Sequence, residues 1–270
     1  MVGTSNGRQT FLDAKDTIVN TPFDGQIKCL NWNIQNPSPQ RAIKQINWIE
    51  RSNFDVIILT EFKCSRAGLY IIDRLKSKGY VVKYPELDKD YGVLLAVSKD
   101  NAMDSKINKE LLSNRISSIV YKAANEKLLL LGVYAPIWNT DKQRAFLEFF
   151  AKSIEDICSN EKYDKIIILG DMNMLEPNHT SKYQFLEEWR AFYKTLDKHV
   201  FVDAFRLIYP NKEEYSWFTN GRDHQIDQRI DHCFVSKNLT DCIKDCSYIH
   251  EVRLEKLSDH SAMCLEIKKD

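Results

Sequence analysis

Six short stretches of the chain place side chains suited to hydrolysis at the end or the beginning of an apolar run. "IKCLNWN" closes on Asn31 and Asn33, "FDVIILTE" on Glu61, "LLLLGVYA" on Tyr134 and its neighbour, and "KIIILGDMN" on Asp171 and Asn173. "RIDHCFVS" brings in Asp231, and "LSDHSAMCLEI" brings in Asp259 and His260. These are carboxylates, amides, one phenol and one imidazole. Hard oxygen donors with few carboxylates suit Mg2+ or Mn2+, ions that keep several waters and share their shell with substrate phosphate. The chemistry they point to is hydrolysis of a phosphate ester. Each motif also has a plainer reading. Asn33 and the Asp171–Asn173 pair suit Asx-stabilised turns, Tyr134 a core-rim aromatic, and Asp259–His260 a surface turn. Glu61 is harder to dismiss, because a carboxylate that ends a buried strand needs a partner.

Other chemistries are excluded by what the chain lacks. It has no phosphate-binding Walker loop, GxGxxG, GxSxG or HExxH. The stretch after Asp171 is not an EF-hand, since Leu175 occupies a ligand position and Lys182 stands where the bidentate glutamate belongs. His179, His199, His224 and His250 lack the spacing of zinc ligands.

The elements that must position these groups alternate between strand-like and helical patterns. "IKCLNWN", "FDVIILTE", "KLLLLGVYAP", "YDKIIILGDMN", "RIDHCFVS" and "SAMCLEI" read as strands. "SPQRAIKQINWIERSN" reads as a helix with Ser38 as N-cap, Pro39 in the first turn, and Ile43, Ile46 and Ile49 on one face. "DKQRAFLEFFAKSIEDICSN" is a second helix. "TSKYQFLEEWRAFYKTLDKH" is a third, with Tyr183, Leu186, Trp189, Tyr193 and Leu196 as its apolar face. The order carries an internal echo. Strand and helix lead to Phe54-Asp55, an aliphatic run and Glu61, and later to Tyr163-Asp164, an aliphatic run and Asp171. Two such units suggest two sheets packed face to face with helices outside, related by a rough two-fold. In a mixed sheet the six polar strand ends can share one rim. If the strands stay extended, Asn31 with Asn33, and Asp171 with Asn173, lie on common faces.

At 270 residues, with 43% hydrophobic and 28% charged side chains, the chain suits one large domain with a substantial core. Residues 1–25 are polar and weakly periodic, and read as a partly flexible N-terminal extension before a single domain over 26–270. Lys+Arg and Asp+Glu both total 38, so recognition of a polyanion would need a local basic patch. No apolar run reaches bilayer length, and the N-terminal stretch lacks the order of a signal peptide. Seven cysteines without a CxxC pair suit a reducing compartment, so the expectation is a cytoplasmic protein, monomeric, with structural thiols.

Taken in order, "LNWN", "LTEFKC", "VYAP", "GDMN", "RIDHCFVS" and "LSDH" resemble the motif series of the endonuclease/exonuclease/phosphatase superfamily, from about Ile27 to the C-terminus. The resemblance implies an α/β fold, a four-layered sandwich of two packed mixed sheets flanked by helices. It implies Glu61 as the main metal ligand, helped by Asn33 and Asp259, with Mg2+ as the ion and Mn2+ as a substitute. Asp171 resembles the carboxylate that activates water, with Asn173 positioning it. His260 resembles the imidazole at the scissile phosphate, Asp231 its carboxylate partner, and Tyr134 the tyrosine beside the leaving oxygen. Glu61-Phe62-Lys63-Cys64 and the arginine of "RID" resemble the exonuclease III and apurinic-site endonuclease branch. That branch implies DNA as substrate, with Lys63, Arg66, Arg222 and Arg229 as contacts to backbone phosphates and Trp217 and Phe218 as stacking or wedging groups; the plainer reading is that the two aromatics simply pack. The chain departs from the branch at Gln228, where an aromatic is usual, in a short segment between Tyr215 and Arg229, and after the proline of "VYAPIWN". The alternatives are a phosphoesterase of the same fold acting on RNA, nucleotides, inositol phosphates or sphingomyelin-like substrates, and a non-catalytic binding protein.

Overall fold

Two aliphatic strands joined by one helix must run parallel, because a helical crossover returns the chain to its starting edge. The chain does this twice. Strand β1 (Gln26–Asn33) pairs in parallel with β2 (Val56–Phe62) across helix α1 (Pro39–Arg51). Strand β7 (Glu126–Tyr134) pairs in parallel with β8 (Lys165–Asp171) across α3 (Asp141–Ser159). Every other pairing among the described strands is antiparallel. The computed structural model describes residues 26–86, 90–123, 126–137, 140–159, 163, 165–177, 187–218 and 227–268. The expected N-terminal extension, Arg222, and the Tyr183 and Leu186 positions of the third helix lie outside the described residues.

The first sheet adds β3 (Tyr80–Lys83), β4 (Gly92–Ser98), β11 (Ile243–Ile249) and β12 (Ala262–Lys268), in the order β11-β12-β1-β2-β4-β3. The second adds β5 (Ala102–Met103), β6 (Ile116–Ala123), β9 (Phe201–Asp203) and β10 (Asp231–Ser236), in the order β5-β6-β7-β8-β10-β9. The two orders superimpose by position: β1 corresponds to β7, β2 to β8, β4 to β10 and β3 to β9. The echo seen in the sequence is therefore a pseudo-two-fold of the fold.

Alternation along each strand splits the apolar side chains into three cores. One lies between the sheets and joins Ile58, Val93 and Met263 to Leu130, Ile167 and Cys233. A second packs Leu131, Ile168 and Phe234 under α3 and α4 (Glu187–Lys198), through Phe150, Trp189 and Phe192. The third packs Leu30, Ile57 and Leu94 under α1 and α2 (Arg66–Ser77), through Ile46, Ile49 and Ile71. Helix, sheet, sheet and helix make the four layers. Each aliphatic side chain fully removed from water contributes roughly 1.5–3 kcal/mol.

Helix α1 starts as its sequence suggests, with the Ser38 hydroxyl accepting from the Arg41 amide. Its buried stripe is Ala42, Gln45, Ile46 and Ile49, so Ile43 is not on the packed face and is 45% exposed. Gln45 belongs there because it is used: its Nε2 donates to the Ile34 and Leu257 carbonyls and ties together two loops that lead to polar motifs. Glycine at 170 is obligatory, since a Cβ there would lie 1.9 Å from the Val133 carbonyl oxygen of the neighbouring strand. Among the described residues, no helix is long and apolar enough to cross a membrane.

Candidate active site

The C-terminal ends of β1, β2, β7 and β8 meet the start of β10 and the approach to β12 on one rim between the sheets. Asn31 and Asn33, at the end of β1, are both fully buried. The Asn33 amide nitrogen donates to Asp171 Oδ2 at 2.8 Å and to Glu61 Oε1 at 3.1 Å. Its own oxygen accepts from the Gln35 amide at 2.9 Å. One amide therefore bridges a carboxylate from each half of the sandwich. Glu61 reaches that position through an irregularity in the β2–β4 ladder between Leu59 and Phe62, where its backbone turns left-handed with φ of 50°. A non-glycine residue there costs on the order of 1–2 kcal/mol, strain of the kind that concentrates at functional sites.

Asp231 and His260 form the second pair. His260 Nδ1 lies 2.8 Å from Asp231 Oδ2, and Asn31 Nδ2 donates to Asp231 Oδ1 at 3.2 Å. Both backbones are held from behind. Tyr248 donates its hydroxyl hydrogen to the Asp231 carbonyl, the Trp32 indole donates to the His260 carbonyl, and the His260 amide donates to Ser258 Oγ. Asp171 faces Asp231 across the β8–β10 ladder and Tyr134 across the β7–β8 ladder. Ligand atoms of Asp171, Asp231 and His260 all lie within 4.8 Å of one another.

The electrostatics follow from burying two carboxylates, Asp171 and Asp231, around one imidazole, with Glu61 and Asp259 half-buried beside them. Burial, then the charge of Asp231, pushes the Asp171 carboxyl well above its usual range, against the pull of His260 and Asn33. Burial by itself would lower the His260 imidazolium, but Asp231, Asp171 and Asp259 outweigh it and hold the ring protonated up to about 10. Tyr134 is pushed upward by burial and by Glu61 and Asp171, with the Arg115 guanidinium 4.7 Å over its ring opposing. Asp171 nevertheless accepts on both oxygens, from Asn33 and from the Asn173 amide at 3.0 Å, a pattern suited to the ionised form. Negative charge thus exceeds what the local cations neutralise. The Asn31 side-chain oxygen is also buried with no hydrogen-bond partner among the described residues. Hard oxygen donors, surplus negative charge and an orphaned amide oxygen fit a divalent cation.

The other expected site residues fall in different places. Asn173 is not on the Asp171 face. Its backbone turns left-handed with φ of 46°, so the strand does not stay extended, and its side chain donates to the Ala135 carbonyl at 2.9 Å. The Asx turn and the site are the same structure here, for the Asp171 side chain closes the turn while facing Asn33. Asp259 accepts from the Trp217 indole at 3.3 Å through its Oδ2, and the Ser258 hydroxyl lies between its Oδ1 and the Asn33 carbonyl. Trp217 is thereby hydrogen-bonded at the rim. Phe218 is covered on one face by the Arg253 guanidinium, 3.7 Å from its ring centre, with Tyr215 and His250 at its edges. Lys63 and Arg66 are exposed beside Glu61, Lys63 extending over the Tyr91 ring. Arg229 is a correction. It is 1% exposed and ion-paired to Asp203 at 2.6 Å and Glu176 at 2.9 Å, so it cannot reach a backbone phosphate. Sequence reasoning missed Ser258, His232, Arg115 and Gln143, whose Nε2 donates to the Asn173 carbonyl at 2.6 Å. Only Arg115 had a visible signal, a basic residue directly before a strand that pairs with the Tyr134 strand.

A family model described as the Endonuclease/Exonuclease/phosphatase family matches residues 30–260, which contain every motif of this rim. Exodeoxyribonuclease III of Haemophilus influenzae is 32% identical over 128 residues, 40% of this chain and 48% of that protein. A DNA-(apurinic or apyrimidinic site) endonuclease of Dictyostelium discoideum is 26% identical over 243 residues, 82% of this chain and 65% of that protein. The chain thus spans about half to two thirds of these relatives' lengths. In fold it is similar to a 3′-5′ exonuclease of Neisseria meningitidis, with a TM-score of 0.73 at 19% identity over 90% of this chain and 100% of that one. With the family model covering most of its length and the same layered sheets beneath the motifs, the chain belongs to the endonuclease/exonuclease/phosphatase family.

Proposed function

We propose that this chain is a Mg2+-dependent phosphodiesterase that cleaves DNA, a nuclease of exonuclease III type, with its catalytic domain over residues 26–270. The observation that carries the reading is the pair of linked units on one rim: Glu61–Asn33–Asp171 and Asp231–His260. The names of the exodeoxyribonuclease and apurinic-site endonuclease relatives support DNA as the substrate.

A phosphodiester resists attack because its anionic oxygens repel the nucleophile. Asp171 accepts a proton from, or orients, the attacking water, a contribution on the order of 10²–10⁴-fold. Asp231 fixes His260 by its Nδ1, which directs the Nε2–H of the imidazolium to a phosphate oxygen. Tyr134 stands opposite Asp171 and serves the leaving oxygen. Glu61, Asn33 and the Asn31 oxygen would hold Mg2+, or Mn2+ in its place. When bound, the ion supplies neutralisation of the phosphate charge. Lys63 and Arg66, exposed beside Glu61, would contact the phosphates of a bound strand.

A panel with Mg2+ tests the reading: abasic duplex, nicked duplex, single strand, RNA and small phosphate esters. Cleavage of DNA is the expected result. Turnover confined to small esters or RNA would overturn the DNA assignment, and no turnover with Mg2+ or Mn2+ would overturn the enzyme.

A further inference from the structure

Arg229 and His232 bracket Asp231, two residues before it and one after, and both reach the same loop. Arg229 Nη2 bonds Glu176 Oε2 at 2.9 Å, and His232 Nε2 lies 2.9 Å from the Met174 carbonyl. The loop they hold, residues 172–176, carries Asn173 and leaves directly from Asp171. A third tie, from the Met172 amide to the Ile230 carbonyl at 2.9 Å, lies between them. Behind these contacts Arg229 also bonds Asp203 at 2.6 Å, while Arg206 Nε bonds the same Glu176 oxygen at 2.6 Å and its Nη2 holds Oε1. Asp203 in turn caps the short helix α5 (Ala204–Ile208), accepting from the Phe205 and Arg206 amides. The loop is thus anchored to β9, to α5 and to the segment that delivers Asp231. Among the described residues, the side-chain hydrogen bonds of Arg229, His232, Glu176, Asp203 and Arg206 are made away from Glu61, Asn33, Asp171, Asp231 and His260.

We propose that Arg229, with His232 and Glu176, is a positioning clasp that sets the spacing of the Asp171–Asn173 loop against the Asp231–His260 pair. The inference rests on the phosphodiesterase reading above. A buried guanidinium suits the task, because its Nη2 donates to both carboxylates while Nη1, 3.5 Å from Asp203 Oδ1, fixes its plane against Asp203 and hence the angle between the segments that bear them. A lysine keeps the charge but not the fork. The basic residue of "RID" therefore acts through protein carboxylates and not through substrate phosphate.

The test compares the full chain with Arg229→Lys and Arg229→Met on a DNA substrate in Mg2+, with hydrogen exchange measured on all three. The clasp predicts that kcat falls about 100-fold in Arg229→Met, the cost of a misplacement near 1 Å, and by less in Arg229→Lys. KM and the dependence of DNA binding on salt stay unchanged, and exchange at residues 172–176 quickens while β1 and β2 keep their protection. A raised KM with a salt slope lowered by about one would mean a phosphate contact and overturn the clasp. An unchanged kcat would also overturn it. If Arg229→Met does not fold, Arg229→Lys carries the same comparison. If the wild-type chain cleaves nothing, the phosphodiesterase reading fails by itself. Exchange in Arg229→Lys then decides the clasp, with unchanged protection at residues 172–176 refuting it.

Discussion

Replacing Asn33 by Asp exchanges one nitrogen for oxygen at constant shape, so packing around β1 is preserved and the electrostatics are isolated. The wild-type amide nitrogen donates two charge-assisted hydrogen bonds, to Asp171 at 2.8 Å and to Glu61 at 3.1 Å. The bond from the Gln35 amide survives, because an aspartate oxygen accepts it equally well. Bonds to charged groups contribute about 1.5–3 kcal/mol each, so losing both costs roughly 3–6 kcal/mol before the new repulsion is counted. Protonation of one carboxylate caps the cost, which places the expected loss at about 3–4 kcal/mol in EDTA at pH 7.5. Millimolar Mg2+ should return most of it, since the variant presents the cation with one more anionic ligand and a bound ligand stabilises in proportion to RT ln(1 + [L]/Kd). Urea denaturation with EDTA and with Mg2+ measures both quantities. A loss below about 1 kcal/mol in EDTA, or a gap that Mg2+ leaves unchanged, would refute the bridging role of Asn33.

Three further outcomes are expected. Asp171→Asn lowers kcat by about 10²–10⁴-fold with an unchanged circular dichroism spectrum; loss of the fold would return Asp171 to a structural role. Burial would raise the Glu176 carboxyl, yet Arg206 and Arg229 hold it down at about 2 against an ordinary 4.5, so its stabilisation is complete above pH 4.5 and is lost as pH falls towards 2. That shift corresponds to about 3 kcal/mol, and urea midpoints taken from pH 5 to pH 2 should fall less steeply in Glu176→Gln than in wild type. Val200, a β-branched residue at φ of 58° just after α4 and 44% exposed, sits where glycine is favoured. Val200→Gly should stabilise by about 1 kcal/mol and raise the thermal midpoint by a few degrees, and a lower midpoint would show that the turn is not strained.

Much of the rim was legible because strand ends are local. An aliphatic run that stops on Glu61 or Asp171 announces both the strand and the group it presents, and the paired β-α-β units carried the two-sheet architecture. What resisted reading was orientation. "RID" gives a basic residue just before a strand, but nothing local says that Arg229 meets Glu176 and Asp203, which are 53 and 26 residues away. Asn173 broke the period-2 argument because a single left-handed residue redirects the chain, a conformation asparagine tolerates and one that the turn reading of Asp171–Asn173 already allowed. Ile43 and Gln45 exchanged roles on α1 because the buried stripe follows carbonyls in need of donors as well as apolar surface. His232 escaped notice for a related reason: in "DHCFV" it reads as an alternating strand residue, and its partners, the Met174 carbonyl and the Asp203 carboxylate, come from distant segments.

Strand β12 pairs with β1 at the opposite end of the chain, and His260 stands directly before it. The imidazole therefore joins the rim only when late-made sequence closes onto the first strand. Glu61 and Asp171 likewise come from different halves of the sandwich. A fragment that stops before residue 260 would therefore lack both the Asp231 partner and the strand that covers β1, so the rim closes only when sequence from both halves of the chain has come together.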